Sequence, residues 1–176
     1  MAPSELHYWL AFSAFLKIGP VKFKKLLGYF GNAEYAFFAP GEKLLHAGLE
    51  VKLVDEFLGF RQRFKLEPLL KQLEDEQIAL YPCTSENYPP LLTHIHNPPF
   101  LLYIKGNGAL LKNNFAVAVV GTRTATTYGV QVANEMGRDL AQQGITVVSG
   151  GALGIDTAAH QGALKERGNT VAVLAG

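Results

Sequence analysis

The sequence predicts an α/β protein, an N-terminal all-α bundle followed by a parallel, doubly wound sheet. Three observations carry that expectation. Residues 1–75 show helical spacing of apolar side chains, interrupted by glycine and proline. From residue 115 onward, short valine-rich apolar runs alternate with amphipathic segments, the order expected of a βαβαβ unit. The first two of those runs each stop at a polar turn containing glycine, Gly121-Thr122-Arg123 and Ser149-Gly150-Gly151, as a strand-to-helix connection requires. A division is expected near residue 76, giving a helical domain over 1–75 and a sheet domain over 76–176.

In the helical part, Leu6, Trp9, Leu10, Phe12, Ser13 and Leu16 recur at helical spacing, and Ile18-Gly19-Pro20 breaks the chain. Pro20 suits the first position of a second helix over VKFKKLLGYF, because its missing N–H has no partner there, and Gly31 ends it. A third segment covers Glu42 to Ala47 before Gly48. A fourth runs from Val51 to Phe64, either continuous with or broken at Pro68 from a stretch over Glu67 to Glu76. Gln77–Tyr81 then reads as a short strand, Tyr88-Pro89-Pro90 as a turn with a short helix to about Ile95, and Phe100–Gly106 as another strand. Both strands are expected to extend the sheet.

Phe115 to Val120 is too short for a typical helix and reads as a strand buried on both faces. A helix is expected from about Tyr128, with Val130, Ala133, Met136, Gly137, Leu140 and Ala141 on its buried face and Gly144 as its stop. Ile145–Val148 is the second strand. The next helix starts near Asp156, whose carboxylate is suited to cap it, and ends at Gly168 before a third strand over Thr170–Leu174.

Composition narrows the function. With 16 basic and 15 acidic residues, the chain has no whole-protein basic field, so a nucleic-acid partner would have to be held by a local patch or several subunits. Nearly half the residues (48%) are hydrophobic, which argues against disorder. The single Cys83 excludes an intrachain disulfide framework and a cysteine-based zinc site, in keeping with a reducing cytosol. Glu5 and no basic stretch precede the apolar run Tyr8–Leu16, so no signal peptide is expected, and no run approaches the roughly 18 apolar residues that cross a bilayer.

The two glycine turns are the candidate site. In an open parallel sheet ligands bind beyond the strand carboxyl ends, where helix N-termini present free N–H groups. Gly121, Thr122 and Arg123 offer close backbone approach, a hydroxyl and a planar cationic fork, and Ser149, Gly150 and Gly151 offer a second anion cradle. Arg123 could otherwise be an exposed arginine or the partner of a carboxylate, and the Ser-Gly-Gly turn a tight connection without a ligand. Tyr128 is the one aromatic near these loops, and it is either the candidate stacking platform for a base or part of a helix core. In the helical part, Lys17 to Lys25 carries four lysines and no acid, and with Gly19-Pro20 it resembles a helix-hairpin-helix that grips phosphate. Lys22, Lys24 and Lys25 are candidate contacts on that reading, or else a solvated face of a helix whose core is Phe23, Leu26 and Leu27.

VVGTRTATTYG followed by VSGGALGIDTAAHQGAL resembles the DNA processing protein A family (DprA, also called Smf). The likeness continues upstream through ENYPPLLTHIHNPPFLLYIKG and into the N-terminal helices. It implies a sterile-alpha-motif-like bundle and an extended Rossmann-like domain in a bacterial cytoplasmic protein. That protein would bind single-stranded DNA, help load the recombinase RecA onto it during natural transformation, dimerise, and use no cofactor or catalysis. In the family the arginine matching Arg123 lies in the DNA pocket. Family members continue beyond the point where this chain stops at Val171-Ala172-Val173-Leu174-Ala175-Gly176, so a piece of a longer protein is expected.

The alternative is a nucleotide-binding or nucleotide-hydrolysing enzyme of the same Rossmann-like superfamily, similar to the phosphoribohydrolases. Their Pro-Gly-Gly-x-Gly-Thr-x-x-Glu motif supplies a glutamate that Ser149–Asp156 lacks. Ser149, Asp156 and His160 are triad residue types, but they lie within twelve positions and outside a Gly-x-Ser-x-Gly elbow. Asp156 and His160 are expected to be structural. His94-x-His96 has no further ligand at metal spacing, so no metal is expected. The Gly-x-Gly-x-x-Gly fingerprint is absent after the first strand, and NAD or FAD use is disfavoured.

Overall fold

The computed structural model describes residues 4–112 and 115–174. The end of the expected final run, Ala175-Gly176, lies outside them. The chain forms two compact units, residues 1–108 and 109–176.

The first unit is built on an aromatic core. Helices α1 (Glu5–Ala14), α2 (Pro20–Phe30), α3 (Ala33–Phe38), α4 (Gly41–His46), α5 (Val51–Arg63) and α6 (Leu66–Asp75) surround it. Phe12 lies stacked on Phe57, with ring centroids 5.1 Å apart, and meets Phe23 at 5.2 Å. All three are essentially fully buried. Pro20 begins α2 as expected, and Gly31 and Gly48 leave α2 and the α4 turn with φ of 84° and 90°, values that favour glycine. The chain breaks between α5 and α6 at Phe64-Lys65, not at Pro68, which fits inside the first turn of α6, where no N–H bond is lost. Helix α3 is an addition to the expected elements. Asn32 Oδ1 accepts from Tyr35 N at 2.7 Å, and Glu5 of α1 accepts from Ala33 N at 2.6 Å and Glu34 N at 3.3 Å. A six-residue helix is thus capped partly by a carboxylate from another helix.

Strands β1 (Ile78–Pro82) and β2 (Leu101–Lys105) do not extend the parallel sheet. They pair antiparallel with each other, Leu80 opposite Tyr103. The physical reason is the apolar start of β2. Phe100 stacks on Phe23 at 4.1 Å and meets Trp9 at 6.3 Å, and Leu101 is buried with them in the helical core. Tyr88 closes the intervening loop by donating its hydroxyl to Pro99 O at 2.6 Å. By packing, the hairpin therefore belongs with the helices.

The second unit is the expected parallel α/β arrangement, β3 (Ala116–Ala118), α7 (Thr127–Gln142), β4 (Thr146–Ser149), α8 (Ile155–Lys165) and β5 (Thr170–Ala172). Strand order is β3-β4-β5, with Val117 opposite Val147 and Val148 opposite Val171. Helices α7 and α8 pack on each other and on β4. Their approach depends on two glycines. A Cβ on Gly137 would overlap Ala159 O, and one on Gly162 would overlap Asn134 O. Asn134 Nδ2 also donates to Ala158 O at 3.1 Å across this seam. The buried positions of α7 are therefore Ala133 and Gly137, whereas the expected Val130 and Met136 are 39% and 47% exposed. Helices this close leave no room for larger side chains at the contact. Strand β3 is also exposed along its length, contrary to the expectation of burial on both faces, and burial is confined to Val119, Thr146, Val147 and Ser149.

Gly137→Ala and Gly162→Ala are each expected to lower stability by about 1–3 kcal/mol by forcing α7 and α8 apart. Denaturant unfolding measures this, with Gly144→Ala as a control that strains a positive-φ helix stop (71°) without a steric clash.

Candidate nucleic-acid interface

Both glycine loops of the second unit lie at the carboxyl ends of adjacent parallel strands, as the motif spacing predicts. They touch. A Cβ on Gly154 would strike Thr122 O and Arg123 O, and one on Gly121 would strike Ile155 at 2.6–2.9 Å, so bare backbone is required on each side. Ile155 N donates to Thr122 O at 3.3 Å. The contact is locked by Asp156, whose carboxylate accepts from Gly150 N at 3.2 Å and, less tightly, from Gly121 N at 3.4 Å.

This changes the role of several expected residues. Asp156 is buried in the first turn of α8, where the helix dipole favours a negative charge, yet it does not cap that helix. It satisfies one amide of each loop. The Gly121 and Gly150 amides are thus occupied by an internal carboxylate, and the two glycines shape the loops. The Ser149 hydroxyl is likewise spent. It is buried and donates to Val119 O at 2.6 Å, joining β4 to β3. Gly151 takes φ of 71° and turns the chain at an exposed position.

What faces solvent is Thr122, Arg123 and Tyr128. Thr122 Oγ1 accepts from Thr124 N at 3.2 Å, which curls the loop that leads to α7. Thr126 caps α7 by accepting from Gly129 N at 3.1 Å, and Tyr128 stands in the first turn, 76% exposed. Arg123 is exposed and makes no hydrogen bond or ion pair among the described residues. An arginine with five free donors, beside a helix N-terminus, is available to a phosphate.

Ser149, Asp156 and His160 do not form a triad, since each is bonded elsewhere. His160 Nδ1 is 2.6 Å from the Thr170 hydroxyl, which itself donates to Val147 O at 2.9 Å. The hydroxyl therefore accepts from His160 Nδ1, and Nε2 is buried with no partner among the described residues. The histidine ties α8 to β5. No group of three or more His, Cys, Asp or Glu among the described residues is placed to hold a metal ion. No helix among them is long and apolar enough to cross a membrane.

In the first unit the Lys17–Pro20 hairpin connects α1 to α2, with Gly19 as N-cap. Lys17 pairs with Glu56 at 2.8 Å, which holds that carboxyl below its ordinary range through the Lys17 hydrogen bond. Lys22, Lys24 and Lys25 form no ion pair among the described residues. Lys22 and Lys25 share one side of α2, whereas Lys24 lies off it and near Cys83, whose thiol is pushed up by burial.

Asp156 had no sequence signature beyond an acid after a glycine turn, because its partner Gly121 is 35 residues away. Asp156→Ala is expected to lower stability by about 1–3 kcal/mol, measured by urea unfolding, by orphaning two amides. Asp156→Asn is not expected to rescue it, because its NH2 group would face one of the same N–H donors.

Comparison with known proteins agrees with this architecture. The family described as DNA recombination-mediator protein A matches residues 79–176, more than half the chain. Protein Smf of Synechocystis is 33% identical over 99% of this chain and 45% of its own length. The DNA processing protein DprA of Bacillus subtilis is 38% identical over 64% of this chain and 38% of its own. The X-ray structure of DNA processing protein A from Streptococcus pneumoniae superposes with a TM-score of 0.73 at 27% identity, over 99% of this chain and 58% of that one. The chain thus spans less than half the length of those two curated relatives. With a matched family profile over the parallel sheet and a relative aligned along nearly its whole length, this chain belongs to the DNA recombination-mediator protein A (DprA/Smf) family.

Proposed function

We propose that the second unit binds the sugar-phosphate chain of single-stranded DNA at the rim formed by the two glycine loops. The observation that carries this reading is Arg123, a guanidinium exposed and unpaired among the described residues, on a loop held in place by Asp156. Arg123 and the Thr122 hydroxyl beside it take phosphate, and exposed Tyr128 offers a base a stacking face. Gly121, Gly150 and Gly151 keep the loop backbones close, and Ser149 braces the strands beneath them. Lys22, Lys24 and Lys25 are further phosphate contacts. Family membership extends the proposal to a non-catalytic role in the bacterial cytoplasm, with DNA protected and RecA loaded during natural transformation, by a homodimer offering two sites per strand.

Arg123→Ala is expected to weaken oligo-dT binding by about 1–3 kcal/mol while leaving the unfolding transition in place, because the side chain supports no internal contact. Unchanged affinity in a titration at fixed salt would count against the proposal. The rival hydrolase reading predicts release of free base from nucleoside monophosphates, and chromatography of such incubations is expected to show none.

A further inference from the structure

The family's DNA reading leaves unused an aromatic groove in the first unit. Tyr29 and Phe30 at the end of α2, Tyr35 and Phe38 of α3, and Pro40 with Lys43 of α4 enclose about 480 Å³. The aromatic side chains are displayed rather than buried. Tyr29 is 52%, Tyr35 65% and Phe38 61% exposed. The walls are rigid, since Arg61 Nη1 donates to both Phe37 O and Ala39 O at 2.6 and 2.9 Å, and α3 is capped from two sides. Holding aromatic faces in water costs solvation free energy that burial would recover, so a preformed platform of this kind fits a planar partner.

Charge selects among planar partners. Lys22, Lys25 and Tyr29 follow i, i+3, i+7 spacing and share one side of α2, and Lys43 lines the groove itself. None of the three lysines is ion-paired among the described residues, whereas the nearby Glu34 carboxyl is engaged by the Tyr8 hydroxyl at 3.2 Å. Aromatic faces for bases, with cations spaced beside them for phosphates, are the chemistry of sequence-tolerant single-strand binding. We infer that this groove is a second, base-stacking contact for single-stranded nucleic acid, with Tyr29 and Tyr35 as platforms and Lys22, Lys25 and Lys43 as phosphate contacts. The inference rests on the DNA-binding reading above but uses none of its residues except Lys22 and Lys25.

The test is a titration of the whole chain with oligo-dT and with an abasic strand of equal length. Y29L/Y35L is expected to weaken oligo-dT binding about tenfold or more and leave the abasic strand unaffected. K22Q/K25Q/K43Q is expected to flatten the salt dependence on both. Independently of any variant, photocrosslinking of 5-iodouracil oligonucleotide to the parent chain is expected to mark the peptide bearing Tyr29 or Tyr35. Equal affinity of Y29L/Y35L and parent for oligo-dT, or crosslinks confined to residues 109–176, would overturn the inference. An unaltered R123A alongside a weakened Y29L/Y35L would sink the loop reading and leave the groove standing.

Discussion

The Asp156 carboxylate accepts from the amides of both strand-to-helix loops, and the carboxyl edge of the parallel sheet takes its shape from that pair of bonds. A buried carboxylate is tolerable only where hydrogen bonds replace water, and here two backbone donors and a helix N-terminus do so. The same bonds draw Gly154 against Thr122 and Arg123, a contact that any Cβ would break. Arg123 thus projects from a loop held by an internal carboxylate.

Beneath that rim, helix packing sets how far apart the loops stand. Gly137 and Gly162 let the backbones of α7 and α8 meet, and Ser149 and His160 tie β4 to β3 and α8 to β5 through buried hydroxyl and imidazole bonds. Ser149 and His160 are triad residue types, yet their spacing along the chain already argues against catalysis. In space they are braces. Ser149, Asp156 and His160 Nδ1 each have a structural partner, and among the described residues the Arg123 guanidinium at the edge has none.

The first unit solves a different problem. It holds ten of the eleven phenylalanines and six of the seven tyrosines, and Phe23, Phe37 and Phe57 close on Phe12. Phe100 carries the β1–β2 hairpin into that cluster. Tyr29, Tyr35 and Phe38 remain largely exposed, near lysines that form no ion pair among the described residues. In a chain with formal net charge of only +1, such local segregation of cations is what can attract a polyanion.

Periodicity and turn chemistry were enough to read most of the elements, the parallel βαβαβ unit and the place of the loops at one sheet edge, though not helix α3. Those features depend on residues close together in sequence, such as Pro20 at a helix start or Gly144 at a helix stop. The tertiary structure alone decided which polar groups remain free. Ser149 and Arg123 are both candidate anion donors along the chain, but only folding brings Val119 O to the serine and leaves the arginine without a carboxylate among the described residues. It also decided where the hairpin packs, since β1 and β2 have the strand pattern either way and Phe100 finds its ring partners 77 and 91 residues earlier, at Phe23 and Trp9. Hydrogen-bond satisfaction and ring packing are sums over neighbours distant in sequence, and a linear pattern carries no record of them.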